Sequence, residues 1–363
     1  MPDRRADRLR ALRGRLAEEG LDALVVSHPA NVRYLTGFSG SSSLVMVTEK
    51  AVLLLTDFRY QTQVAEEVGD LARIEIDSAG FVARLLKLLP EYLQVRTLGF
   101  EAHVLTVRDA ARLSAPDCAW RFRPTSDLVE GLRAVKDRDE VAAIGEAGKA
   151  ACAALRRMVG EVRAGMTELE VAALLEAELR RAGSEAHPFD TIVASGPRAA
   201  LPHARTSRRT VEAGEWLLLD FGSRVAGYCA DVTRTFVVGA PPDRRQRDVY
   251  DVVREAQGAA LRGLRAGMTG KDADALARDR IAQAGFGEEF GHSLGHGLGL
   301  EVHEAPRLSK VSEQALPAGA VVTVEPGVYL PGWGGVRIED DVVLSEQGAT
   351  LLTDFPRELV VLG

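Results

Sequence analysis

Three histidines lie among glycines in the last third of the chain, within the stretch GHSLGHGLGLEVHE. They are His292, His296 and His303. Glycine permits sharp turns of the backbone and close approach of other groups. Two carboxylates, Glu325 and Glu339, follow on short apolar runs. Imidazole and carboxylate side chains in this context predict a metal site, whose remaining ligands must come from elsewhere in the chain.

An internal repeat, in which three pairs of segments match in the same order at offsets of 102, 105 and 108 residues, supplies two further carboxylates. The pairs are RAGMT at 163–167 and 265–269, AGEWLLLDFG at 213–222 and AGAVVTVEPG at 318–327, and CADV at 229–232 and RIED at 337–340. This register aligns Asp220 with Glu325. It also aligns Asp231 with Glu339. The repeat predicts two related α+β halves around a pseudo-twofold axis, each bringing two carboxylates to equivalent places.

Four carboxylates at one place would repel and would raise one another's pKa values, and bound cations would remove this cost. One histidine with two carboxylates from each half gives five ligands. These are enough for two metal ions roughly 3.5–4 Å apart, if Asp231 and Glu339 each bridge both. The oxygen-rich ligand set favours Mn²⁺, with Co, Zn or Fe as alternatives. A bridging water would become hydroxide near neutral pH and attack a carbonyl carbon polarised by one metal.

Two histidines outside this ligand set could serve the reaction itself. His203 in LPHA and His303 in VHE could donate to a developing oxyanion or to the leaving nitrogen. Cys229 shares a strand face with Asp231, because side chains two apart point the same way. We expect this cysteine to line the site without binding metal.

The repeat also predicts the helices beside these residues. Thr167 and Thr269 end the two RAGMT segments, and threonine is a preferred N-cap. Each helix would end sixteen residues later, at Gly183 and Gly285, since glycine is the preferred residue after a helix.

The first third of the chain predicts a separate α/β layer domain, because short strands alternate with helices. Predicted helices span 3–19, 60–68, 81–89 and 107–114, and predicted strands span 23–27, 43–48, 51–56, 73–76, 97–100 and 120–122. The segment 31–40 is predicted to be rich in turns. We place the boundary near residue 128, which gives domains 1–128 and 129–363, the second opening with a long helix at 137–159.

Composition excludes several function classes. The 363 residues suit two domains, and 46% hydrophobic with 27% charged residues is typical of globular proteins. A net charge of −7 argues against nucleic-acid binding, which needs a basic face. No apolar run is long enough to span a membrane, and the N-terminus lacks the apolar core of a signal peptide. Three widely spaced cysteines, Cys118, Cys152 and Cys229, predict buried thiols in a reducing compartment, and we expect a cytoplasmic protein.

The five ligand candidates stand in contexts that resemble the pita-bread metallopeptidases, the superfamily of methionine aminopeptidase, prolidase and aminopeptidase P. The matching contexts are LLLDFGS, ADVTRTF, GHGLGLEVHE, VEPGVY and GVRIEDDV, and LRAVKDRDEVAAI precedes them. The stretches NVRYLTGFSGSSSLVMVT and TDFRY resemble the creatinase-like N-terminal domain of the aminopeptidase P and prolidase branch. The resemblance covers nearly the whole chain, and no ligand position departs from the pattern.

The resemblance implies a role for each candidate. Asp231 and Glu339 would bridge two divalent ions, His296 and Glu325 would complete one metal, and Asp220 would chelate the other. Glu325 would also assist proton transfer. Four further residues would line the substrate pocket: His203, His292, His303 and Arg337. Arg337 could instead be a structural partner of Asp340 or Asp341. N-terminal domains of this branch pack against a partner subunit, so the resemblance also implies a homodimer.

The expected activity is that of an Xaa-Pro aminopeptidase, which removes the residue before a proline in second position. Proline's amide has no N–H, so its hydrolysis needs a dedicated site. The alternative is an Xaa-Pro dipeptidase (prolidase), which would share every ligand and differ only in how far the pocket extends past proline. GFSGSS and TDFRY favour the aminopeptidase. Two other possibilities are a metal-free binding module and a creatinase-like C–N hydrolase on the same fold.

Overall fold

The structure, a computed structural model, describes residues 3–78, 80–113 and 119–363. Cys118 falls outside these residues. The chain forms two compact units, Met1–Arg133 and Ala134–Gly363. In the described part of the chain, no helix is both long and apolar enough to cross a membrane.

The first unit is a six-stranded mixed sheet with helices. Its strands are β1 (Ala23–Val26), β2 (Ser43–Thr48), β3 (Val52–Thr56), β4 (Arg73–Ile76), β5 (Thr97–Glu101) and β6 (Arg121–Thr125), in the order β4-β3-β2-β1-β5-β6. Its helices are α1 (Arg5–Glu18), α2 (Pro29–Thr36), α3 (Gln61–Val68), α4 (Phe81–Leu88), α5 (Val107–Leu113) and α6 (Glu130–Arg133). The predicted alternation of strands and helices is confirmed.

The segment 31–40 differs from its prediction as a turn-rich stretch, because most of it belongs to helix α2. Pro29 starts this helix, where its missing N–H costs nothing. Gly37 ends it with a φ of 80°, a left-handed conformation that glycine adopts without strain. Val32 and Leu35 are buried on the inner face. The glycines at the end of the segment led to the prediction of turns, because glycine is unfavourable inside a helix.

The residues just after the predicted boundary at 128 form hydrogen bonds with helix α1 of the first unit. The Arg15 guanidinium donates to the carbonyl oxygens of Leu128, at 3.0 Å, and of Gly131, at 3.1 Å. These bonds join α6 to α1, which accounts for a first unit that extends to Arg133.

The second unit contains two α+β halves. Helices α7 (Arg138–Met158) and α8 (Glu168–Arg181) accompany a sheet of order β17-β9-β8-β7, formed by β7 (Ile192–Ser195), β8 (Trp216–Val225), β9 (Tyr228–Val238) and the C-terminal β17 (Val361–Leu362). Helices α9 (Arg244–Gly263) and α10 (Gly270–Gln283) accompany a sheet of order β11-β10-β12-β15-β16, formed by β10 (Gly295–Gly297), β11 (Glu304–Leu308), β12 (Val321–Val324), β15 (Asp340–Ser345) and β16 (Gly348–Leu351). A hairpin of β13 (Gly327–Leu330) and β14 (Gly334–Arg337) separates β12 from β15.

The predicted caps are present at both repeated helices. The Thr167 hydroxyl accepts the N–H of Glu170, and the Thr269 hydroxyl accepts the N–H of Asp272. The residues after these helices, Gly183 and Gly285, have φ values of 97° and 88°. Both helices therefore begin and end as the repeat predicts.

The backbone connections around these helices are repeated as well. Gly165 N–H donates to Val211 O in the first half and Gly267 N–H to Leu316 O in the second, both at 2.9 Å. Gly214 N–H donates to Val238 O at 2.7 Å, and Gly319 N–H to Leu344 O at 2.8 Å. Matching hydrogen bonds at matching positions confirm that the two halves share one local architecture.

Candidate metal centre

Three of the predicted ligands form a compact group. Asp231, His296 and Glu339 each offer one ligand atom, and these atoms all lie within 4.8 Å of one another. Asp231 is on β9, His296 is on β10, and Glu339 lies between β14 and β15. The group therefore draws on both halves, as the repeat predicts.

Glu325, directly after β12, faces the same imidazole. Its Oε1 lies 3.4 Å from His296 Nε2, which is also 3.9 Å from Asp231 Oδ2. The Thr323 hydroxyl donates to Glu325 Oε1 at 3.1 Å and accepts the His296 N–H at 3.1 Å. One threonine on β12 thus fixes both the fourth ligand candidate and the backbone of the histidine.

Asp220 on β8 is joined to the group by Arg337. The Arg337 guanidinium donates to Asp220 Oδ2 at 2.5 Å and to the Thr233 hydroxyl at 3.1 Å. Thr233 in turn donates to Glu339 Oε2 at 2.5 Å. The other oxygen of Asp220, Oδ1, is buried and has no hydrogen-bond partner among the described residues. All five ligand candidates thus lie in one connected cluster.

The cluster crowds negative charge in a buried place. Burial, followed by the charges of Glu339 and Asp220, holds the pKa of Asp231 well above its usual range. Burial, followed by Glu325 and Asp220, does the same to the pKa of Glu339. Burial also raises the pKa of Glu325 to about 8, although Arg337 opposes the rise. Three carboxylates with raised pKa values at one buried place are costly unless cations or protons compensate them.

The unsatisfied oxygens of this cluster are suitable metal ligands. Asp231 Oδ1, like Asp220 Oδ1, is buried without a hydrogen-bond partner in the described part of the chain. Carboxylate oxygens with a single imidazole form a donor set that suits divalent ions such as Mn²⁺. The residues present therefore fit the two divalent ions that the sequence predicts.

The His296 ring has a defined tautomer. Its Nδ1 lies 3.0 Å from the carbonyl oxygen of Gly297, which can only accept, so Nδ1 carries the proton. Burial, followed by the charge of His303, lowers the pKa of His296 to about 4. The ring is therefore neutral at physiological pH and presents a free lone pair on Nε2, as a metal ligand requires.

His292 belongs to a hydrogen-bonded chain behind the carboxylates. Its Nδ1 donates to Ser293 O at 2.8 Å, so its Nε2 accepts from the Tyr329 hydroxyl, also at 2.8 Å. Arg337 donates to the same hydroxyl at 2.8 Å. Tyr329 was not singled out from the sequence, although it ends the VEPGVY motif. Arg337 pairs with Asp220 here, while Arg234 is the arginine that binds Asp340, at 2.7 Å.

His303 and His203 lie at the exposed side of the cluster. The ring centroid of His303 is 4.3 Å from that of His296. His203 follows Pro202, whose carbonyl oxygen accepts from Arg337 at 3.3 Å. A charge on His203 lowers the pKa of both His292 and His303, though burial is the larger cause for each. The structure thus brings both histidines to the ligand cluster, where the sequence predicted a role for them in the reaction.

Arg307 is a cation that the sequence analysis missed. It lies on β11 directly opposite His296 in the antiparallel pairing, so the two side chains share one face of the sheet. Its charge lowers the pKa of His303, after burial, and contributes to the same effect on His296. The Arg307 side chain is exposed and makes no hydrogen bond or ion pair with any residue that the structure describes. The only sequence signal was its place four residues after His303.

Cys229 does not belong to the candidate ligand group. Its thiol lies 3.7 Å from Leu300 O, and burial raises its pKa to about 11. Cys152 is likewise a buried free thiol with a pKa raised to about 11. The protonated thiols are poor metal ligands, because the thiolate is the form that binds metal.

Two family models match the chain: metallopeptidase family M24 over residues 142–346, and the creatinase/prolidase N-terminal domain over residues 8–135. The Xaa-Pro dipeptidase of Pyrococcus furiosus is 36% identical over 98% of this chain and 99% of its own. The chain belongs to metallopeptidase family M24. The structure of this M24 protein is similar to that of an Xaa-Pro dipeptidase from Bacillus anthracis, with a TM-score of 0.93 and 41% identity over 99% of this chain and 100% of the other.

An X-Pro aminopeptidase from Thermotoga maritima is similar to this M24 peptidase to nearly the same degree. Its TM-score is 0.91, with 42% identity over 98% of this chain and 99% of the other. The predicted fold is thus confirmed as a pita-bread catalytic domain in two related halves, preceded by a creatinase-like N-terminal domain. Membership of the family makes the protein a metallopeptidase that uses divalent metal ions.

Proposed function

We propose that this M24 peptidase is an Xaa-Pro dipeptidase, a prolidase, that acts on dipeptides with proline in second position. The sequence motifs GFSGSS and TDFRY favoured an aminopeptidase. Two findings favour the dipeptidase instead: relatives at 36% and 41% identity carry that name, and Arg307 stands free beside the ligand cluster. The position of Arg307 is the observation that carries the proposal.

A dipeptidase needs a cation that a longer peptide would leave unpaired. The proline of a dipeptide ends in a free carboxylate, whereas the proline of a longer peptide continues into a neutral amide. Arg307 lies on the face of His296 and has no other partner within the described residues. A guanidinium and a carboxylate form strong charge-assisted hydrogen bonds. Arg307 would therefore hold the carboxylate end of the substrate.

Five residues would hold two divalent metal ions: Asp220, Asp231, His296, Glu325 and Glu339. Mn²⁺ is proposed, because four carboxylates and one imidazole form a hard donor set. When bound, the metal ions supply an activated water and polarise the peptide carbonyl. Among the chain's own groups, Thr323 holds Oε1 of Glu325, which leaves Oε2 to carry a proton from the attacking water to the leaving proline nitrogen.

The histidines on the open side would complete the reaction. His303, beside His296, and His203, after Pro202, are exposed, so their rings can reach a bound peptide. They would donate to the oxygen on which charge develops or to the leaving nitrogen. His292 and Arg337 are held by Tyr329 and Asp220, and they would shape the pocket behind these donors.

The remaining sequence predictions complete the proposal. The division into an N-terminal domain, 1–128, and a catalytic domain, 129–363, is retained as part of it. So are a homodimer and a cytoplasmic location. The homodimer is tested by light scattering after gel filtration, where a single mass near that of one 39.1 kDa chain would contradict it.

A length series of substrates tests the activity. We expect Xaa-Pro to be cleaved in the presence of Mn²⁺, with kcat/KM falling steeply for Xaa-Pro-Yaa and Xaa-Pro-Yaa-Zaa. Arg307→Ala should lower kcat/KM for Xaa-Pro by roughly 10- to 100-fold, the loss typical of one hydrogen bond to a charged group. The same variant should leave cleavage of the neutral amide Xaa-Pro-NH₂ unchanged, and Arg307→Lys should recover part of the loss.

The second candidate is an Xaa-Pro aminopeptidase, which the similarity to the Thermotoga maritima protein favours. Steady or rising kcat/KM with peptide length, and an Arg307→Ala variant without effect on Xaa-Pro, would establish it. A binding module or a creatinase-like hydrolase would have no use for four clustered carboxylates. A metal titration tests the former, and an assay of creatine turnover tests the latter.

A further inference from the structure

The loop that carries His203 is fixed by one buried carboxylate. This loop runs from Ser195, at the end of β7, to Ser207. Glu168, the first residue of α8, lies beneath it and is fully buried. A buried carboxylate is tolerated only when its oxygens accept enough hydrogen bonds. The contacts of Glu168 therefore show what it stabilises.

Among the residues that the structure describes, every hydrogen bond to the Glu168 carboxylate comes from this loop. At its start, Ser195 donates its N–H at 2.8 Å and its hydroxyl at 2.9 Å to Oε1. At its end, Ser207 donates its N–H at 3.0 Å and its hydroxyl at 2.6 Å to Oε2. Arg198 adds its Nε, at 3.1 Å from Oε1. One carboxylate thus closes the loop at both ends.

The ring of His203 is not held by any contact of its own polar atoms within the described residues. Its side chain is exposed and makes no hydrogen bond or ion pair within residues 3–78, 80–113 and 119–363. The position of its ring therefore depends on the backbone around it. That backbone is held by Glu168 at both ends, by Arg198, which donates to Arg205 O, and by Arg337, which donates to Pro202 O.

We propose that Glu168 is a positioning residue for His203. Glu168 touches neither the candidate metal ligands nor the substrate pocket, and it acts by fixing the loop on which His203 stands. This inference rests on the proposed function, in which His203 donates to the reacting peptide. A misplacement of about 1 Å in such a donor can lower the rate by roughly 100-fold, so a distant clamp can have a catalytic effect.

The test is Glu168→Gln combined with His203→Ala. The amide keeps the size of the side chain, but its NH₂ group must face donors that need an acceptor. We expect kcat/KM to fall roughly 10- to 100-fold in the otherwise native enzyme, with kcat affected more than KM and metal content unchanged. In the His203→Ala background the same change should have no further effect. An equal fall in both backgrounds, or no fall in either, would overturn the proposal.

The matched control is Glu170→Gln, two residues later on the same helix turn. Glu170 is exposed, and within the described part of the chain its carboxylate accepts only from Thr167, at 2.7 and 2.8 Å, and forms no hydrogen bond with the loop. Its replacement should leave kcat/KM unchanged. If Glu168→Gln fails to fold, Ser207→Ala takes its place, since it removes one donor without stranding a charge. A smaller fall of kcat/KM that again vanishes with His203→Ala would support the proposal, and a fall of equal size in both backgrounds would refute it.

Hydrogen exchange separates this inference from the proposed function. Glu168→Gln should speed amide exchange across 195–207 while leaving 168–181 protected, whether or not Xaa-Pro is a substrate. Faster exchange together with an inactive native enzyme would reject the peptidase proposal alone. Unchanged exchange in an active enzyme would reject the clamp alone.

Discussion

The two halves of the catalytic unit use the same backbone scaffold but differ in how they fix the segment next to a histidine. In the first half, Glu168 N–H donates to Arg209 O at 2.9 Å, and its carboxylate holds the loop of His203. In the second half the equivalent residue is Gly270, whose N–H donates to Gln314 O at 3.0 Å. A Cβ on Gly270 would lie 2.1 Å from Arg307 O, so strand β11, which follows His303, packs directly on the helix backbone there.

The difference shows how a duplicated fold can diverge without losing its symmetry. A side-chain clamp can be altered by one substitution and still leave the helix intact, whereas close backbone packing excludes every residue except glycine. The carboxylate residues at equivalent positions also differ between the two halves. Asp220 and Asp231 lie inside strands, while Glu325 and Glu339 lie outside the adjacent strands and have a side chain one methylene longer. Equivalent positions in the two halves therefore direct carboxyl groups to one cluster with side chains of different length.

The largest effect should come from removing one carboxylate of the compact group in each half. Asp231→Ala and Glu339→Ala should each lower kcat/KM by roughly 10³-fold or more, since ligands that act as a unit fail together. Bound metal, measured by mass spectrometry, should fall in both. Glu313→Ala, which removes an exposed ion pair with Lys271, is the control. Near-normal turnover and metal content in either variant would break the equivalence of the halves.

Replacing the histidines beside the ligand cluster should have a smaller effect, and it distinguishes a catalytic role from metal binding. His303→Ala and His203→Ala should each reduce kcat by roughly 10²- to 10³-fold, the usual loss for one donor to a developing oxyanion. Metal content should stay unchanged, because neither residue belongs to the compact group of three ligand atoms. If His303→Ala releases metal, this histidine is a ligand and not a donor to the reacting peptide, and its proximity to His296 would then reflect shared metal binding.

The smallest effect concerns the helix caps. Thr167→Ala and Thr269→Ala should each lower the local stability of α8 and α10 by about 1 kcal/mol, the typical contribution of an N-cap hydroxyl. Native-state hydrogen exchange at 168–171 and 270–273 measures this locally. Activity should change more in Thr167→Ala than in Thr269→Ala, because α8 also carries Glu168. Equal activity in both variants would argue against that distinction.

Much of the candidate site could be predicted because its proposed ligands occur in a repeated pattern. Asp220, Asp231, Glu325 and Glu339 were found by aligning the chain with itself, and His296 by its glycine-rich context. The caps at Thr167 and Thr269 follow from local chemistry, since an N-cap is decided within one helical turn. The strands and helices of the first unit also followed from local periodicity, apart from α2 and the short α6. There the glycines at the end of the segment masked a helix that its buried face stabilises.

Residue types and repeated spacing are sufficient to predict which residues could bind metal and that two related halves would supply them, because both properties are present in the chain before it folds. The other groups that face these residues are brought there only by folding. The placement of Arg307 depends on the register of β10 with β11, and the contacts of Tyr329 and Glu168 join residues 37 and 39 positions away. Such contacts follow from packing of distant segments, and no local pattern encodes them. Glu168, which reads in sequence as an ordinary first residue of a helix, shows this most plainly.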